Sequence, residues 1–95
     1  VLQFAGNTVV SGTLQTASGT SVRLSSSATS VTIPDNASAV FTGSGVFTQL
    51  FGTLSVLGNL AIDSSFTANG GNFVVTGGTL QGNGTVALGG SFIWN

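Results

Sequence analysis

The sequence predicts an all-β chain wound as a three-sided parallel β-solenoid, and three observations carry that prediction. The first is a run of short units over residues 52–95: GTLSVL, GNLAID, SSFTANG, GNFVVTG, GTLQGN, GTVALG and GSFIWN. Each places a small residue, then Thr, Asn or Ser, then a large apolar residue, the pattern of short strands separated by tight corners. The second is a longer period. Stepping back from Phe92 reaches Phe73, Leu54, Ile33 and Leu14, at intervals of 19, 19, 21 and 19. From Leu80 the same step reaches Leu60, Phe41, Val22 and Leu2, and from Val86 it reaches Phe66, Phe47, Ala28 and Val9. The third is composition: 15 glycines among many Ser, Thr and Val residues oppose helix throughout.

Three strands per turn and a 19- to 20-residue step give about five coils in 95 residues, a single domain over 1–95. In such a winding each strand pairs in parallel with the strand one coil away, so like residues stack. The second inward position of each strand, two residues on, gives Val56, Val75 and Trp94 on one side. On the next it gives Phe4, Leu24 and Ile62, with Gly43 and Gly82 as small fillers, and on the third Ser11, Ser30, Gln49, Ala68 and Leu88.

The corners are read in the same way. Gly12, Val31, Gly52, Gly71 and Gly90 stand two residues before the first column, and glycine supplies the left-handed backbone that sharp corners need. Residues 25–30 (SSSATS) form the thinnest predicted strand. The lone proline marks Pro34-Asp35-Asn36 as a bulged corner with Asp35 turned outward. Both ends are read as uncapped. Val1, Leu2 and Phe4 open in the middle of the pattern, Phe92, Ile93 and Trp94 close it the same way, and the first strand is expected to supply the side on which the last coil stops short. A start at Val1 without a basic and apolar leader reads as a segment of something longer.

Composition excludes several functions. Arg23, Asp35 and Asp63 are the only charged residues. No Lys/Arg set exists to displace counterions from phosphates or to hold an anionic bilayer, which argues against nucleic-acid partners and membrane surfaces. No apolar run approaches a membrane-spanning helix, so no membrane insertion is expected. With neither Cys nor His, thiolate chemistry, zinc sites and Ser/His nucleophilic catalysis are absent. Glycoside cleavage needs paired carboxylates, and the two present fall on different corners. Calcium needs several oxygen ligands at one site, and the Gly/Asp nonapeptide pattern is missing. No catalytic residue, cofactor or metal is expected, and the chain reads as a non-enzyme.

The outward positions carry the functional expectations. Thr8 with Val10, Ser27 with Thr29, Val46 with Thr48, Ser65 with Thr67, and Thr85 with Ala87 are read as one Thr-rich face, of which Thr29, Thr48, Ser65, Thr67 and Thr85 are the candidate binding residues. A second column is Thr13, Thr32, Thr53, Asn72 and Ser91. Such arrays suit glycan recognition, ice binding, or simply stable ladders of good strand residues. Val10, Val40, Val46, Val74 and Ile93 are read as exposed, which leaves lateral packing between solenoids open. Asn36-Ala37-Ser38 and Asn83-Gly84-Thr85 match the N-glycosylation acceptor pattern.

The units GTLQGNGTVALGGSFIWN and GTLSVLGNLAIDSSFTANGGNFVVTGG resemble the Gly/Thr/Asn-rich repeats of bacterial secreted β-solenoids, the autotransporter passengers and filamentous-haemagglutinin-type adhesins. The resemblance implies a right-handed parallel β-helix, consistent with the hand of parallel crossovers. It also implies an extracellular or cell-surface location and a role in adhesion, scaffolding or filament formation. A second resemblance, to the left-handed hexapeptide-repeat transferases, lacks their shorter strict coil and their catalytic His. The leading expectation is therefore a structural building block of a fibre. Its partners would be copies of itself or flanking solenoid chain, end to end, through Val1, Leu2, Phe4, Phe92, Ile93 and Trp94. The alternative is the binding module of a surface adhesin.

Overall fold

Twelve strands and no helix make up the described residues, 2–4 and 6–95, of the computed structural model. The strands are β1 (Leu2–Phe4), β2 (Asn7–Val9), β3 (Gly12–Thr16), β4 (Ser21–Leu24), β5 (Ser30–Ile33), β6 (Ser38–Gln49), β7 (Thr53–Val56), β8 (Asn59–Ala68), β9 (Asn72–Val75), β10 (Thr79–Gln81), β11 (Thr85–Leu88) and β12 (Ser91–Trp94). The expectations placed on Val1 and on the side chain of Leu2 lie outside what is described.

Every strand pairing is parallel, and the strands stack on three sides. Side one holds β3, residues 38–42 of β6, residues 59–63 of β8, and β10. Side two holds β1, β4, residues 46–49 of β6, residues 65–68 of β8, and β11. Side three holds β2, β5, β7, β9 and β12. Because β6 and β8 run through the corner, sides one and two form one seven-stranded sheet, and side three is a separate five-stranded sheet. The predicted parallel solenoid is thus what forms, in about four turns rather than five.

The core follows the alternation of the strands. On side three Val31, Leu54 and Phe73 stack beneath Phe92, and Ile33, Val56 and Val75 stack beneath Trp94. Side two stacks Val22, Phe47, Phe66 and Val86 in one inward column. The rings make a continuous aromatic chain. Phe41 lies flat on Phe47 at 4.8 Å between centroids and reaches Phe66 at 6.3 Å. From Phe66 the chain runs edge-on to Phe73 at 5.5 Å, to Phe92 at 5.2 Å, and then to Trp94 at 6.2 Å. These separations lie in the favourable range for aromatic pairs, so the rings add to the burial energy of a narrow core.

The coils are not of equal length, and this corrects the predicted columns. The upper coils keep the expected step: it is 19 from Leu54 to Phe73 and again to Phe92, then 19 and 20 through Phe47, Phe66 and Val86. Below them the step widens. It is 25 from Val22 to Phe47, 23 from Val31 to Leu54, and 27 from Leu14 to Phe41. A fixed step carried into this region therefore slips one whole side. Ile33 stacks under Val56, not under Leu54, and Leu14 belongs to side one under Phe41. Phe41 pairs with Ile62 rather than Leu60, and Leu2 and Val22 continue the Phe47 column. Ala28 lies in a turn, closed by Thr29 N–H donating to the Ser26 carbonyl at 2.9 Å, so residues 25–29 make a corner instead of a strand.

The slip also reverses two residues. Val9, expected inside, is 69% exposed, while Val10, expected outside, is 8% exposed and joins the core. Val9 pairs with outward Thr32, and the Val10 N–H donates to the Thr32 carbonyl at 2.9 Å. The wide lower steps account for this, because they put Thr8, not Val9, under Val31.

The extra length lies in the corners. Between sides one and two the step falls from Thr13–Ser21 (8) to Val40–Val46 (6), then to Ala61–Ser65 and Gln81–Thr85 (4 each). It shrinks in twos, which keeps inward residues inward on both flanking strands. Pro34-Asp35-Asn36 is the bulged corner expected, with Asn36 at φ 64 and Ala37 N–H donating to the Pro34 carbonyl at 3.1 Å. Higher up, Gly52 (φ 83) and Gly71 (φ 73) stack at one corner, and a Cβ on Gly71 would meet the Gly52 carbonyl. That corner has room for backbone only.

Candidate functional site

Gln49 and Thr16 tie coils together inside the solenoid. Gln49 is fully buried, and its Nε2 donates to the Gly52 carbonyl at 3.2 Å and the Asn72 carbonyl at 2.8 Å, joining corners of successive coils. Thr16 plugs the first corner: its Oγ1 accepts from Gly45 N–H at 2.9 Å and donates to the Thr42 carbonyl at 3.3 Å. Gly43 and Gly45 lack side chains because Cβ atoms there would collide with Thr16. Gln49 Oε1 and Ser64 Oγ are buried without a protein partner.

The expected Thr-rich face forms only in its upper part, because Thr8, Val10, Ser27 and Thr29 all leave it. On side two Thr48 stacks on Thr67 and Ser65 stacks beneath Thr85, so these four share one outward surface. Adjacent rungs sit about 4.8 Å apart. Thr29 is not on it. It is 2% exposed, lies in the corner before β5, and donates from Oγ1 to the Phe4 carbonyl at 2.9 Å. The sequence spaced Thr29 as if residues 25–30 were a rung, and a corner residue that looks like a strand residue gives no other signal. The face also gains Arg23, whose register partner is Thr48. In the second expected column Thr53, Asn72 and Ser91 do stack, whereas Thr32 lies one column over and Thr13 lies on side one.

The charged residues stay apart. Arg23 is exposed on side two, and Asp35 is exposed in the Pro34 corner. Asp63 is exposed at the corner between sides one and two, where its Oδ1 accepts from Asn83 N–H at 3.0 Å. No group of three acidic or metal-ligating side chains and no pocket is found among the described residues. Asn36 and Asn83, the acceptor-pattern residues, both sit exposed in corners. Of the residues read as lateral contacts, Val46 and Ile93 are exposed, Val40 and Val74 are half-buried, and Val10 is internal. Phe51 and Leu57, which the sequence reading missed, stand exposed in the corners flanking β7.

The two ends are the most distinctive surfaces. At one, β10, β11 and β12 each have a partner on one edge only, and at the other the same holds for β1, β2 and β3. The last coil leaves Leu80, Val86 and Phe92 half-buried, with Leu88 and Ile93 exposed and Trp94 58% exposed. Phe4 and Leu14 are half-buried at the opposite end. None of these six strands contains a charged residue.

Comparisons with protein-family models, with curated proteins and with solved structures find no match for this chain.

Proposed function

We propose that this chain is a structural β-solenoid unit of an extracellular fibre or surface filament, joined end to end to further solenoid. The observation that carries the reading is the pair of unguarded ends. Parallel edges with free N–H and C=O groups usually carry Lys, Glu or Pro to prevent pairing, and here neither end has any. Each end also presents apolar residues that the stacking of one more coil would cover. A contact of this kind joins unlike surfaces and does not close on itself, so it propagates as a filament. The resemblance to secreted β-solenoid repeats supports an extracellular setting.

Sedimentation and light scattering over rising concentration, with electron microscopy of the product, test the reading. Filaments one solenoid wide are the expected result, and Ile93→Asp lowers assembly without unfolding the monomer, because Ile93 faces outward on the last rung. A chain that stays monomeric throughout the range overturns it.

The Thr48–Thr67 stack with Arg23 beside it favours a second reading, a polar face of an adhesin that holds glycan. Binding on a glycan array, lost in Thr48→Val and Thr67→Val, would support that role, and silence across the array would remove it. A thermal-hysteresis measurement separates ice binding from both.

A further inference from the structure

Two Asn-Gly pairs occur in the sequence, Asn69-Gly70 and Asn83-Gly84. Asparagine is least protected in this pair, because glycine sets no side chain between its backbone nitrogen and the neighbouring amide carbon. Both asparagines stand exposed in corners, so exposure does not separate them. The glycine N–H groups do. Gly84 N–H donates to the Ile62 carbonyl at 2.9 Å, and Asn83 N–H donates to Asp63 Oδ1 at 3.0 Å. Asn83 is thus anchored through the amides before and after it. At Asn69 a single carbonyl serves two donors: Gln49 accepts from Asn69 N–H at 2.8 Å and from Gly70 N–H at 3.3 Å. The same fork recurs in this corner one coil below, where Leu24 accepts from Leu50 at 2.8 Å and Phe51 at 3.2 Å. It recurs one coil above, where Ala68 accepts from Gly89 at 2.7 Å and Gly90 at 3.0 Å. The second arm is the longer each time, and a stretched hydrogen bond is a weak one. Gly70 therefore has the more loosely held N–H of the two glycines.

We propose that Asn69 is a self-modification site of the folded solenoid, losing its side-chain amide to water, while the Asn83-Gly84 pair is held unreactive. The Gly70 nitrogen gives up its proton and bonds to Asn69 Cγ. The Cγ–Nδ2 bond breaks, ammonia leaves, and a five-membered imide closes. Water then opens the ring at either carbonyl. Opening at Cγ gives aspartate, and opening at the main-chain carbonyl gives isoaspartate, whose backbone runs through the former side chain. One water is consumed and one ammonia released, with no oxidant, metal or second protein required. Either product adds a negative charge to a chain that has only Arg23, Asp35 and Asp63. Isoaspartate also lengthens the backbone by one carbon, in a corner built for backbone alone. A Cβ on Gly70 would meet the Leu50 carbonyl, and a Cβ on Gly90 would lie 3.0 Å from Gly70. The isoaspartate form is therefore less stable than its parent, so the reaction marks the age of a solenoid and loosens it. The chemistry does not depend on assembly, and its failure would leave the end-to-end reading untouched.

Incubation of the dilute folded chain in mildly alkaline buffer, followed by peptide mapping with mass spectrometry, reads both residues at once. Asn69 converts about tenfold faster than Asn83, the factor that one well-made backbone hydrogen bond supplies. In concentrated urea both residues convert at similar rates, because only the Asn-Gly pair itself then matters. Asp63→Ala, at an exposed corner position, frees Asn83 N–H and raises conversion there several-fold while leaving Asn69 unchanged. Asn69→Gln removes the new acidic species from an ion-exchange profile, and the isolated isoaspartate form unfolds at lower urea than the parent. Equal rates in the folded chain, a faster Asn83, or no conversion at Asn69 overturns the site. An Asp63→Ala chain in which Asn83 stays slow overturns the account of its protection. An isoaspartate form as stable as the parent overturns the loosening.

Discussion

The lower coils and the upper coils solve the same problem with different materials. From β7 onward the step is 19 or 20, the corner that leads into β7 and β9 stacks Gly52 and Gly71, and the interior is an aromatic chain from Phe66 to Trp94. Below β7 the step reaches 27, from Leu14 to Phe41, and the wide corners are tied by side chains: Thr16 to Gly45 and Thr42, Thr29 to Phe4. The narrow coils are filled mostly by apolar side chains, with the buried Gln49 amide bonding the Gly52 and Asn72 carbonyls. A wide corner encloses backbone groups that the ladder does not reach, and buried N–H and C=O groups must find partners. Thr16 and Thr29 supply them. The contrast predicts where stability is apolar and where it is polar.

The largest effect is expected in the upper coils. Phe73 is almost fully buried, edge-on to Phe66 on one side and Phe92 on the other. Phe73→Ala removes the middle ring and leaves a cavity, a cost of about 3–5 kcal/mol. Leu14→Ala, at a half-buried position on the lowest rung of side one, costs about 1–2 kcal/mol because less area leaves water in the parent. Urea denaturation of both variants checks the contrast. Equal losses would mean that the aromatic chain is no better packed than the open rung.

The second effect belongs to the lower coils. Thr16→Val keeps the shape but leaves Gly45 N–H, in a buried stretch, without its acceptor, for a loss of about 1–3 kcal/mol. Thr67→Val, on the outward face of side two, stays within about 0.5 kcal/mol. If both valines were neutral by urea denaturation, the wide corner would not depend on its hydroxyl.

The legibility of the chain divides along the same line. Period, side and facing could be read for Phe47, Leu54, Phe66, Phe73, Val86 and Phe92, because the coil step holds at 19 or 20 there. The Pro34 corner could be read because proline fixes its own backbone and removes a donor. Ser25 to Thr29 could not. Serine and threonine serve equally as strand residues and as corner plugs, and only the hydrogen bond from Thr29 to Phe4 decides between them. Of the outward face, Thr48, Ser65, Thr67 and Thr85 were readable, since they lie above the irregular coil, and Thr29 was lost with it. The order of sides at the two ends was hidden for a related reason. The extra length of the coil from Leu14 to Phe41 shifts every column by one side, with no break in the apolar pattern.

The smallest expected effect tests that last point. The corner between β3 and β4 has a step of 8 from Thr13 to Ser21, where the coil above has a step of 6 from Val40 to Val46. Removing Ser18 and Gly19 would give the lower corner the upper length. Its cost is the Thr20-to-Ala17 turn, both of whose bonds are local, set against a shorter loop to close. Because the change is by two, Leu14, Val22 and Leu24 keep facing inward, and stability shifts by less than about 1 kcal/mol. The same trim one coil higher, Gly43 with Ser44, is not equivalent. It removes one of the two glycines that leave room for Thr16 and displaces the N–H that Thr16 accepts, so it costs about 1–3 kcal/mol. Urea midpoints for the two deletions, measured side by side, decide whether the corner tapers because each coil sets its own length or because Thr16 fixes the coil above it. Equal midpoints would reject the second account.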